Sequence, residues 1–123
     1  MQLAQAELAK IRFHELPSVR IDTQSFGRAL PANTSVVYFL VHRGSVLKYI
    51  GKASNLRSRW YFTGKQFFMR ELQDVHHCLP LALELGDMAL HYWKMPKKYL
   101  SIVELLLLRE FTPPWNSHDV ERD

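Results

Sequence analysis

The chain has 123 residues, 47% of them hydrophobic and 23% charged, and a net charge of +4. That length holds one domain able to bury roughly two-thirds of its unfolded surface, and the balance excludes disorder and fibrous repeats. The longest aliphatic run, Leu105 to Leu108, is closed by Glu104 and Arg109, which excludes a membrane span, and the lone Cys78 excludes an internal disulfide or a multi-cysteine zinc site.

Residues 2–16 read as a helix with Leu3, Leu8, Ile11 and Leu16 near one face, and Phe13 adding to a packing surface. Residues 17–34 contain Pro17, Gly27, Pro31 and Asn33 and read as a turn-rich connector. Val36 to Val41 is β-branched and aromatic, so a strand buried on both faces is expected. His42 to Ser45 is a turn, and Val46 to Ile50 returns as the second strand of a hairpin, ended by Gly51. Ser54 or Asn55 can cap a helix carrying Leu56, Arg57, Arg59 and Trp60. Gly64 interrupts that run, and a further helix is expected over Phe67 to Val75. Ala89 to Met95 reads as a third strand and Lys97 to Phe111 as a helix stopped by Pro113-Pro114. The expected domain spans 35–118, supported by an N-terminal helix and connector over 1–34 and followed by a polar, frayed tail over 119–123.

The charge is unevenly placed. Between Asp22 and Glu71 there is no acidic residue, yet eight basic ones fall there, among them Lys48, Lys52, Arg57, Arg59 and Lys65. The same stretch carries nine of the fifteen aromatic residues. A basic, aromatic-rich block points to a polyanion, with nucleic acid ahead of a membrane. Residues 1–20 carry Glu7 and Glu15 and lack a secretory-type apolar stretch, so a cytoplasmic setting is expected.

Four features fall in order. Tyr38 lies in the first strand, and Tyr49 in Tyr49-Ile50-Gly51 follows eleven residues later. Arg59 is eight residues beyond Gly51, and Glu104 lies mid-helix, twelve residues before Asn116 in Pro113-Pro114-Trp115-Asn116. Taken singly, each has an ordinary reading: a core tyrosine, a solvated arginine or glutamate, a turn asparagine. His76-His77-Cys78 reads as helix-end and loop filler, since adjacent helical residues diverge too far to share an ion.

Together the four resemble the GIY-YIG nuclease superfamily, found in intron homing endonucleases, some restriction enzymes and the excision-repair incision subunit. The most specific stretch, Tyr49 to Arg59, is similar to the signature of the repair subunit's N-terminal nuclease domain. The likeness runs from about Ser35 to Asn116. Three positions depart from the pattern: Val36-Val37 replace glycine and isoleucine before Tyr38, and Thr63 stands where many members have His or Tyr. The latter role is left to Tyr61, His76 or His77, or is lost.

The resemblance implies an α+β fold, a small antiparallel sheet of about three strands with helices on both sides. It further implies a metal-dependent endonuclease that hydrolyses DNA. Glu104 would hold Mg²⁺, with Mn²⁺ able to substitute, and Arg59 would offer its planar fork to the scissile phosphate. Tyr38 or Tyr49 would activate water, with Tyr38 preferred; a free phenol near pKa ~10 needs a neighbouring cation to serve at neutral pH. Asn116 would fix Glu104 or the helix end. Lys48, Lys52, Arg57 and Lys65 would contact DNA phosphates. The alternative is an inactive nucleic-acid-binding module on the same fold. One site cuts one strand, so double-strand cleavage would require a dimer or two visits.

Overall fold

Residues 11–21, 26–60 and 87–116 are described by the computed structural model of the chain. In order they form β1 (Ser18–Arg20), α1 (Phe26–Ala29), β2 (Val36–His42), β3 (Val46–Ala53), α2 (Leu56–Trp60), β4 (Met88–Lys94) and α3 (Leu100–Phe111). The strands make one antiparallel sheet in the order β1-β4-β2-β3. The fold class is α+β, as expected, but the sheet has four strands rather than three. The fourth, β1, comes from the segment read as a connector, and three residues are too few for an alternating pattern to register. It exists because Ser18 to Arg20 pair with Ala89 to His91 of β4.

β2 is the central hydrophobic strand. Val36 to Val41 are all buried, because each face of the sheet carries its own core. On the first face, Val36, Tyr38 and Leu40 pack with Leu30, Leu56, Trp60, Met88 and Leu90. On the second, Val37, Phe39 and Val41 pack with Ile50, Met95 and the apolar stripe of α3, Leu100, Val103 and Leu107. Alternating side chains of one strand thus serve two cores, which is why the run reads as continuously apolar.

Three boundaries differ from the sequence expectation. The described part of the expected N-terminal helix is a single 3-10 turn, Phe13–Glu15, because Pro17 pushes Leu16 into an extended conformation (ψ 156°). Ile11, Phe13 and Leu16 still pack against the second core, with Phe13 stacked on Phe39 at 5.8 Å. β3 runs through Gly51 to Ala53, so this glycine does not end the strand. Finally, the β2–β3 register slips by one residue beside Lys48: Leu40 faces Tyr49, but Val41 faces Leu47. This bulge resets the alternation, so Leu47 joins the second core with Ile50 although Tyr49 lies on the first. The remainder of the expected N-terminal helix, the expected 67–75 helix and the 119–123 tail lie outside the described residues. Among the described residues no helix is long and apolar enough to cross a membrane.

His91 is the unusual occupant of the sheet. It sits opposite Phe39, is 6% exposed, and its Nδ1 is buried without a hydrogen-bond partner among the described residues. Burial lowers its pKa below the ordinary 6.5, outweighing the neighbouring carbonyls of Leu16 and Phe13, which favour the charged ring; His14 adds a small further push downward. Below pH 6.5 the unfolded chain takes up a proton that the folded chain resists. Stability therefore falls as pH drops, by at most about 1.4 kcal/mol per pH unit from this group. Urea denaturation at pH 7.5 and 5.5 should show this loss, and His91→Phe should reduce it; an identical loss in the variant would contradict the assignment.

Candidate functional site

The site begins where Tyr38 of β2 faces Gly51 of β3. A Cβ at position 51 would lie 2.5 Å from the Tyr38 hydroxyl oxygen and 2.9 Å from Cε1, so the ring lies directly across the glycine. Tyr38 therefore leans toward the outer strand of the sheet. Its ring is packed edge-on against Trp60 at 5.7 Å and tilted against Tyr49 at 6.2 Å. Tyr38 is 1% exposed, whereas Tyr49, packed against the same core, is half-buried.

The next residue turns to the other face. The Lys52 ammonium donates to Ser101 Oγ at 2.8 Å and pairs with Glu104 Oε1 at 3.7 Å, tying β3 to α3. Glu104 follows the buried Val103 but is turned toward the sheet edge, with its side chain 22% exposed. Lys52 and Arg59 line one open cleft of about 520 Å³, together with Ser54, Ser58, Ser101 and Lys97. Arg59 is placed there by α2, whose first turn is capped as expected: Asn55 Oδ1 accepts from the Ser58 N–H at 3.3 Å. The same oxygen accepts from the Asn33 N–H at 3.1 Å, and Asn55 Nδ2 donates to Asn33 Oδ1, clasping the start of α2 to the loop before β2.

Asn116 anchors the turn that follows the end of α3. Its Oδ1 accepts from the Ile50 N–H at 2.8 Å and its Nδ2 donates to the Ile50 carbonyl at 3.0 Å. The side-chain amide, 1% exposed, thus pairs with the outer strand as another strand would. It holds the Pro114–Asn116 turn to Tyr49-Ile50-Gly51 and bonds to that backbone rather than to a carboxylate.

Arg57 also differs. Expected to meet phosphate, it donates through Nε to the Leu30 carbonyl at 2.8 Å and through a terminal nitrogen to the Arg28 carbonyl at 3.0 Å. It braces the end of α1 against α2. Lys48 lies at the bulge, where the chain has one residue more than its partner strand. Lys65, Tyr61, Thr63, His76, His77 and Cys78 lie outside the described residues.

The structure brings Tyr38 with Tyr49, Lys52 with Glu104, and Arg59 with Lys52. It adds Lys97, Ser101, Ser54 and Ser58, which the sequence reading passed over. Spacing offered a signal for two of them: Lys97, Ser101 and Glu104 follow the four-then-three rhythm of one helical face.

Comparison of the chain with protein-family models, curated proteins and solved structures gives no match.

Two substitutions test this geometry. Gly51→Ala forces a methyl into a ring already held by Trp60 and Tyr49, and is expected to cost about 1–3 kcal/mol. Tyr38→Phe in that background should recover part of the loss, since the hydroxyl oxygen is one of the crowded atoms. Asn116→Ala leaves both polar groups of Ile50 without their partner and is expected to cost about 1–3 kcal/mol. Chemical denaturation measures each.

Proposed function

We propose that the chain is a divalent-metal-dependent DNA endonuclease of the GIY-YIG type, hydrolysing phosphodiester bonds at the edge of β3. The observation that carries this reading is the juxtaposition at Gly51-Lys52. There a tyrosine ring crosses the glycine from one side, and an ion pair with Glu104 begins at the next residue on the other. The two approach adjacent residues of the outer strand from opposite faces, and that shared position supports one site at the strand's edge.

Phosphodiester hydrolysis requires a deprotonated water and stabilisation of charge on the phosphoryl oxygens. Arg59 supports the second need, since its guanidinium presents a planar fork on the wall of an open cleft. Tyr38 and Tyr49 support the first. Tyr49 is the more exposed of the two; either takes a proton from water as a phenolate, or as a phenol that passes its own proton on to its neighbour.

The donor set fits a magnesium or manganese ion bound only in part by protein. No group of three or more His, Cys, Asp or Glu is gathered among the described residues. Glu104 offers one carboxylate beside an open cleft, and Mg²⁺ commonly takes one or two carboxylates, waters and the substrate phosphate. When bound at Glu104, such an ion supplies positive charge at the phosphate and acidifies a coordinated water. Lys52, already beside that carboxylate, neutralises it in the free protein and can turn its ammonium toward phosphate.

Cleavage of supercoiled, single-stranded and branched DNA with Mg²⁺, Mn²⁺ or EDTA tests the reading. Cutting should stop in EDTA, and Glu104→Ala should lower it by about 10²–10³-fold while DNA is still bound. Tyr38→Phe and Tyr49→Phe should each lower it by about 10²-fold or more, the larger loss marking the group that takes the proton. DNA that is bound but uncut under every metal would instead identify an inactive binding module.

A further inference from the structure

We propose that the Lys97 wall of the cleft seats a second backbone phosphate of the nucleic-acid strand, beside the one that faces Arg59. This rests on the nuclease reading and extends it to how the strand is held. The charge balance comes first. Lys52 is paired with Glu104 in the free protein, and Lys97 lines the same cleft. Lys97 is exposed, and among the described residues no carboxylate pairs with it. An uncompensated ammonium on a cleft that Ser54, Ser58 and Ser101 also line brings together donor types suited to phosphate oxygens.

Size agrees with charge. About 520 Å³ is room for about 17 waters at ~30 Å³ each, far more than one phosphate group displaces. The surroundings favour a strand over a small anion. From Met88 to Val103 the chain has no acidic residue and carries Lys94, Lys97 and Lys98, so positive charge continues out of the cleft along the turn before α3. Register places that turn at the same end of the sheet as the cleft, since Val36 pairs with both Ala53 and Lys94. A polyanion can follow this path; a single nucleotide would end inside it.

The test measures binding of a fluorescent DNA duplex by Glu104→Ala protein across a series of salt concentrations. Adding Lys97→Ala should weaken affinity about three- to tenfold near 100 mM salt and lower the salt slope by about one phosphate contact. Lys97→Arg should restore both. Arg43→Ala, in the β2–β3 turn at the opposite end of the sheet, should leave the slope unchanged. A parental slope in Lys97→Ala, or an equal drop in Arg43→Ala, would overturn the second seat while leaving the nuclease reading intact. Failure of the Glu104→Ala parent to bind DNA at any salt would overturn both.

Discussion

Where β2 faces β3 at the site, two neighbouring strands accommodate a full aromatic ring across the backbone because one partner lacks a Cβ. Gly51 provides that space, and Tyr38 fills it. The other arrangements depend on this contact. The ring meets Trp60 and so fixes how α2 leans on the sheet; α2 in turn carries Arg59 to the cleft. The strand continues through Gly51 to Lys52, whose ammonium reaches α3 on the second face.

The hairpin, the capped α2, β4 and α3 were legible because each has a local cause: β-branched runs, an asparagine before an amphipathic segment, an apolar stripe at helical spacing. What escaped the sequence was set by distant partners. β1 is three residues long and owes its conformation to β4. Gly51 looked like a strand terminus because glycine usually marks a break, and nothing nearby in sequence shows that Tyr38 will lie across it. The bulge at Lys48 is equally silent, since strict alternation would have placed Leu47 beside Tyr49.

The site was legible as a set of residues more than as a set of roles. Tyr38, Tyr49, Arg59 and Glu104 stood out by order and spacing, and the structure places the tyrosines together and gives Glu104 a lysine partner. Asn116 stood out by spacing and Arg57 as one of the basic residues expected to meet phosphate, yet both donate to or accept from backbone. Residue type cannot separate a donor aimed at a ligand from one bonded to a carbonyl dozens of residues away. That distinction belongs to tertiary packing.

The bonds between Asn116 and Ile50 have a consequence for assembly. An outer strand presents a row of backbone groups on which another chain can extend the sheet, and here the row is interrupted at its middle by a side-chain amide. A second molecule cannot join edge to edge across Tyr49-Ile50-Gly51 without first evicting the Pro114–Asn116 turn. Growth of the sheet by a second copy is therefore left to the opposite edge, β1, which offers only the three residues Ser18–Arg20.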